Sequence, residues 1–303
     1  MSLYNKYRPT SFDEFIGNEV VIENLKNILR KEEKPHAFLL YGPTGCGKTT
    51  LGRIIAKELG CVGSDYVEVD SAYFRGIDTI REIRKQSYYA PIEGSCRVWL
   101  IDECHQLGKD AMSALLKALE DTPKHVYYIL CTTDPEKLLP TIKGRCSQFP
   151  VSLLNEKQVF KLLKKVVVKE GETLQKEVYD QIIQDSMGHA RDALQILEQV
   201  LSAPVENRLE IAKRAAEKQS QVIELCRALL QGDNWKKVSN ILVGLQEEEP
   251  EIIRRAVLGY CKTILLREVN NRAAYIMEQF LEPFYDTGFP GLVYACYSVV
   301  IDN

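Results

Sequence analysis

The sequence has no closely spaced cysteine pair. Its nine cysteines stand singly among 303 residues, with no Cys-x-x-Cys. Neither a disulfide framework nor a cysteine-ligated zinc site is expected, and the pattern fits thiols kept reduced in a cytosol. An excess of either charge is also missing: 39 Lys+Arg against 42 Asp+Glu leave a formal net charge of −3. That excludes a protein coating nucleic acid by charge alone and leaves room for a local basic groove. No run approaches the roughly 18 apolar residues of a membrane span, and the opening MSLYNKYRPTSF holds no apolar signal core. A soluble, cytoplasmic protein with no membrane partner is expected. Internal repeats and low-complexity tracts are absent too.

What is present is a chain long enough for two or three domains. Apolar residues recur at helical spacing over residues 20–31, and Ala37 to Tyr41 is a short apolar run that stops at Gly42. Helix, buried strand and glycine loop follow one another, and residues 49–59 continue as a helix. Residues 66–69, 97–101 and 126–131 are further β-prone runs. Strands alternating with helices predict a parallel sheet covered on both faces. Beyond Pro150 the strand signal disappears, and residues 156–169, 177–184 and 190–201 read as helices. Residues 202–207 form a linker, and the remainder is helical with breaks at Gly232, Pro250 and residues 283–291. The expected fold class is α/β, a P-loop parallel-sheet domain (residues 1–153), then a small helical lid (154–203) and an all-helical C-terminal domain (207–303).

GPTGCGKTT, Gly42 to Thr50, fits G-x-x-x-x-G-K-[ST] and lies between a predicted strand and a predicted helix. Glycines let backbone N–H groups turn inward around phosphates, and the following helix adds the positive end of its dipole. Gly42, Pro43, Thr44, Gly45, Cys46, Gly47, Lys48, Thr49 and Thr50 are therefore the expected nucleotide-binding residues. Lys48 reaches the β and γ phosphates, and Thr49 places its hydroxyl on Mg²⁺. In RVWLIDECH, Asp102 and Glu103 end an apolar strand, where paired carboxylates need a cation or a reaction to serve. Asp102 is expected to hold Mg²⁺ and Glu103 to polarise the attacking water. His105 reads as a helix-start or surface residue.

The phrases KYRPTSFDEFIGNE, HAFLLYGPTGCGKTT, VWLIDECHQLGKDAMSALLKALEDTP, CTTDPEKLLPTIKGRC and GHARDALQILEQ together resemble the AAA+ ATPases of sliding-clamp loaders. Within these the chain is most like the bacterial DNA polymerase III gamma/tau group and its phage counterparts. The resemblance implies an ATPase that opens a ring-shaped clamp and loads it on primer–template DNA during replication, with ATP and Mg²⁺ as its needs and clamp and DNA as its stimulants. The implied partners are other loader subunits in an oligomer, expected to be a pentamer, joined through a C-terminal collar. By the same resemblance Thr133, with Thr132 as the alternate, is a sensor at the γ-phosphate, and Arg191 is a second sensor on the lid. Tyr7, Arg8, Pro9 and Ile16 pack around adenine, and Arg145 is an arginine finger for the neighbouring subunit's nucleotide. Arg75, Gly76 and Lys109 lie where the family tracks DNA, and SYYAPI, Ser87 to Ile92, where it meets the clamp, a core hairpin being the competing reading. Cys146 and Phe149 read as packing. Two departures stand out: Gly144 replaces the family's serine, and ELGCVGSDYVEV replaces a four-cysteine zinc insertion, so no zinc is expected. A branch-migration type of AAA+ motor and a non-hydrolysing stator subunit of a loader are the rival readings.

Overall fold

Side chains alternate across a strand, and here the alternation separates two cores. In a computed structural model, residues 2–301 are described except Ala72, Arg75, Glu247 and residues 266–268. The chain opens with α1 (Leu3–Lys6), α2 (Glu19–Leu29), β1 (Ala37–Tyr41), α3 (Lys48–Glu58), β2 (Tyr66–Asp70) and α4 (Ile77–Ser87). It continues with β3 (Arg97–Asp102), α5 (Lys109–Glu120), β4 (Val126–Thr132), α6 (Pro140–Lys143) and β5 (Ser147–Pro150). Ala37 and Leu39 of β1, Trp99 and Ile101 of β3, and Tyr128 and Leu130 of β4 enter one core with Ile80, Ile83 and Leu115 from α4 and α5. Their neighbours Phe38, Leu40, Val98, Leu100, Ile129 and Cys131 enter the other, against Leu25 of α2 and Leu51, Ile54 and Ile55 of α3.

The five strands are parallel in the order β2-β3-β4-β1-β5. Both β1 and β3 therefore run through the middle, and the loops that follow them emerge at the same edge, where ligands bind in open α/β sheets. One correction to the sequence reading falls here. The stretch TIKGRCSQFP is not only a turn: Pro140–Lys143 is a helical turn, and Ser147–Pro150 pairs with β1 from Phe38↔Ser147 to Tyr41↔Pro150. Proline is tolerated because β5 is an edge strand, where one missing N–H breaks no central ladder.

Three helices complete the first compact unit, residues 1–202: α7 (Glu156–Lys169), α8 (Lys176–Ser186) and α9 (Ala190–Leu201). Helix α7 starts in a capping box in which Asn155 accepts from the Gln158 N–H and the Gln158 side chain accepts from the Asn155 N–H. The lid thus belongs to the same unit as the sheet. The second unit, residues 203–303, contains α10 (Arg208–Gln231), α11 (Trp235–Gly244), α12 (Pro250–Leu265), α13 (Asn271–Gln279) and α14 (Gly288–Ile301). Asn234 and Asn270 cap α11 and α13, and Leu229, Val257, Phe280 and Val299 are among its core residues. Among the described residues, no helix is long and apolar enough to cross a membrane. All nine cysteines are buried free thiols, Cys146 and Phe149 lying in the cores on either face of the sheet.

Candidate functional site

The glycine loop is shaped for close approach of a ligand. Gly42, Gly45 and Gly47 have φ of 151°, 74° and 101°, a region that L side chains adopt at a cost. A Cβ on Gly42 would run into the carbonyl oxygen of Val151. Lys48 is buried, and its ammonium donates to the carbonyls of Gly42 and Pro43, both at 2.9 Å. It closes the loop on itself at the place where phosphate oxygens would accept the same hydrogens. Helix α3 begins there with Gly47 as N-cap and, among the described residues, no capping side chain, so its first N–H groups remain for an anion.

The adjacent strand ends bring the acidic residues to this loop. The Thr49 hydroxyl donates to Asp102 Oδ2 at 2.6 Å, and Asp102 Oδ1 accepts the Glu103 N–H at 3.0 Å. Burial pushes the Asp102 carboxyl up, opposed by these two donors. A hydroxyl and a carboxylate side by side are hard oxygen donors. Among the described residues, no cluster of three or more His, Cys, Asp or Glu could hold a metal by itself. That donor set fits Mg²⁺, which takes one or two protein oxygens and completes its shell with phosphate and water. Glu103 has a φ of 46°, left-handed for a side chain of this size. Its Oε2 accepts from the Thr133 N–H at 3.3 Å and hydroxyl at 3.1 Å. Thr132 is fully buried, and its hydroxyl oxygen instead accepts the Asp134 N–H at 3.0 Å. Of the two threonines, then, Thr133 faces the carboxylate.

A cavity of about 620 Å³ joins these groups to the lid. Its walls include Tyr7, Arg8, Pro9, Ile16, Thr44 to Thr50, Asp102, Glu103 and Arg191. Gly42 and Pro43 contribute carbonyls to Lys48 rather than cavity wall. The Arg191 guanidinium lies over the Tyr4 ring, 5.6 Å from its centroid. Burial lowers the pKa of Arg8. Three connections escaped the sequence reading. The His189 Nδ1 donates to the Thr44 carbonyl at 2.8 Å, fastening the lid to the phosphate loop. Glu170 accepts from Lys6 Nζ and from the Tyr7 hydroxyl, and these bonds, Lys6 first, hold its carboxyl below the usual range. His105 sits directly behind Glu103. No local pattern marks any of the three: two join distant parts of the chain, and in the third the two-residue spacing of Glu103 and His105 gives no sign that the side chains meet.

The remaining predicted residues that are described lie outside the cavity wall. Arg145 is half-exposed, and its guanidinium donates to the Thr141 carbonyl at 3.0 Å and pairs with Glu120. Gly144 is right-handed helical, with φ −67° and ψ −17°, so its backbone does not require glycine. The Gly144 N–H to Pro140 carbonyl bond, at 2.9 Å, braces the turn. Gly76 and Gly108 are the N-caps of α4 and α5, which puts Lys109 on the first turn of α5. Arg75 lies outside the described residues. Tyr88, Tyr89 and Ile92 are 58%, 60% and 75% exposed, which removes the core-hairpin reading of that segment. Buried Asp65 holds this loop by accepting the N–H groups of Ile92, Glu93 and Gly94, with the Arg97 guanidinium beside it.

A family model described as DNA polymerase III, delta subunit, matches residues 62–155. The chain is 37% identical over 232 residues to the DNA polymerase III subunit gamma/tau of Mycobacterium bovis, covering 69% of this chain and 40% of that protein. It is 32% identical over 284 residues to the DNA polymerase III subunit gamma of Buchnera aphidicola subsp. Acyrthosiphon pisum, covering 83% and 78%. The chain belongs to the DNA polymerase III gamma/tau family. It spans about 40% of the length of the mycobacterial gamma/tau relatives it matches. Among solved structures, the Thermotoga maritima RuvB Holliday junction branch migration motor superimposes with a TM-score of 0.62 at 22% identity, covering 74% of this chain and 79% of that one. At that identity the likeness concerns the fold alone, a parallel sheet with a phosphate loop and flanking helices.

Proposed function

We propose that this chain is an ATP-hydrolysing subunit of a sliding-clamp loader, which opens a ring-shaped clamp and places it on primer–template DNA in the cytoplasm. One observation carries the reading. The Lys48 ammonium, the Thr49–Asp102 pair and the Thr133-held Glu103 converge on the phosphate loop and strand ends beside a single cavity, in a chain of the gamma/tau family. The loop N–H groups and Lys48 bind the triphosphate, Lys48 exchanging its two carbonyl acceptors for phosphate oxygens. Thr49 and Asp102 would hold Mg²⁺, which would supply charge neutralisation at the phosphate oxygens. Glu103 orients and deprotonates the attacking water. With Oε2 occupied by Thr133, Oε1 is the oxygen left for that proton. Tyr7, Arg8, Pro9 and Ile16 enclose the base, and Arg191 reaches the γ-phosphate from the lid.

Arg145, outside its own chain's cavity, supplies its guanidinium to the nucleotide of a neighbouring subunit in a pentamer built with other loader subunits. Lys109, with Arg75 and Gly76, tracks DNA phosphates, and Tyr88, Tyr89 and Ile92 meet the clamp. The test is ATP turnover by the assembled loader with Lys48→Ala in this subunit, measured with clamp and primed DNA. A large loss is expected. Turnover equal to wild type would mean that this site is not a working one and would leave the stator reading.

A further inference from the structure

The His105 ring does not line the cavity; it stands behind Glu103, with a side chain only 12% exposed. Its Nδ1 lies 3.2 Å from Glu103 Oε2 and 3.0 Å from Thr132 Oγ1. One ring atom thus touches the turn after β3 and the end of β4, the two segments that carry Glu103 and Thr133. We propose that His105 is a positioning residue for Glu103, which with Thr133 fixes one carboxylate oxygen and leaves the other to the attacking water. The proposal rests on the reading of Glu103 as the water-activating group.

Three features support it. Thr132 Oγ1 already accepts the Asp134 N–H. The ring's hydrogen bond runs to Thr132 Oγ1, and Glu103 Oε2 lies beside the same nitrogen; with the proton on Nδ1 the N–H faces the carboxylate, whereas the other tautomer would set a ring lone pair against it. Glu103 is held in a left-handed backbone conformation, which persists only where the surroundings over-determine it. Thr133 N–H, the Thr133 hydroxyl and His105 Nδ1 all converge on the same oxygen. Finally, burial lowers the His105 pKa, against the pull of Glu103. A neutral ring orients the carboxylate through an N–H dipole without adding the full positive charge that would weaken it as a base.

The experiment compares His105→Ala, His105→Asn and His105→Gln with Glu103→Gln. ATP turnover is measured in the assembled loader, and ATP affinity and thermal midpoint on the purified chain. His105→Ala is expected to lower kcat roughly 10- to 100-fold, the loss attached to one bond on a charged group, with KM and ATP affinity nearly unchanged. Asparagine, whose amide nitrogen can occupy the Nδ1 position, recovers most of the rate; glutamine, which reaches toward Nε2, does not. Equal turnover in His105→Ala and wild type overturns the proposal. So does loss of ATP affinity in step with kcat, or equal failure of asparagine and glutamine, since a packing role predicts either. If Glu103→Gln turns over normally, the underlying reading of Glu103 fails. If Glu103→Gln is inactive while His105→Ala is normal, only the role of His105 fails.

Discussion

Replacing Asp65 by asparagine should destabilise the first unit and disturb the loop carrying Tyr88, Tyr89 and Ile92. The carboxylate is fully buried. Burial alone would raise its pKa, but the N–H groups of Gly94, Ile92 and Glu93 and the Arg97 guanidinium outweigh it and hold the carboxyl down, from 3.8 to about 2. At about 1.4 kcal/mol per unit, this is about 2.5 kcal/mol of preference for the charged form in the fold. Asparagine keeps the shape but loses the charge and turns an amide NH₂ toward backbone donors, so a loss of about 2–4 kcal/mol at neutral pH is expected.

The pH dependence has a definite sign. A depressed folded pKa means that the stabilisation is complete above the unfolded value and is lost as pH falls from about 4 to about 2. At about pH 3 roughly 1 kcal/mol of it should be gone in the wild type. The asparagine variant has no such group to titrate, so the gap between the two chains should narrow toward acid. Urea unfolding can be followed through buried Trp99 in a Trp235→Phe background, because Trp235 belongs to the second unit, packed edge-on against Tyr297. A loss below about 1 kcal/mol at neutral pH, or a gap independent of pH, would refute the argument that charge on Asp65 holds the loop.

Other outcomes follow from the same geometry. Arg145→Ala should abolish clamp- and DNA-stimulated hydrolysis while the altered chain still binds nucleotide in a filter assay; a large loss of that binding would contradict action on a neighbour's site. Lys109→Ala should weaken DNA stimulation and reduce the slope of log affinity against log salt by about 1, and an unchanged slope removes it from the DNA path. Asp185 is buried on α8, with Gln181 donating to its carboxylate, and burial raises its pKa to about 6. Its raised folded pKa makes stability fall as pH rises from about 4 to about 6, so Asp185→Asn should stabilise the unit by about 1–3 kcal/mol at neutral pH and hardly at all near pH 4, as read by urea unfolding.

The elements that were legible in the sequence are those whose signal is local. The phosphate loop lies wholly within Gly42 to Thr50, and β3 and β4 are apolar runs ending in the residues that matter. Strand β5 was not legible. It has four residues, of which only Phe149 is buried, it ends in proline, and its partner β1 begins more than a hundred residues earlier. The roles of His105 and His189 were equally hidden, because a lone histidine carries no sign of which strand end or loop will meet its ring.

Residues 1–202 form one compact unit and residues 203–303 a second. Residues 1–153 and 154–203 look separate by composition, strands before and helices after, yet the bonds joining them come from widely spaced positions. His189 reaches Thr44 across 145 residues, Tyr7 reaches Glu170 across 163, and Gln158 reaches the Glu19 carboxylate across 139. A Cβ on Gly188 would collide with the Leu154 carbonyl, so the chain can fold back there only as glycine. These contacts place Arg191 on one cavity with Tyr7, Arg8, Pro9 and Ile16. A local sequence pattern therefore finds the phosphate end of the site, whereas its closure by the lid depends on pairings formed only when the whole first unit folds.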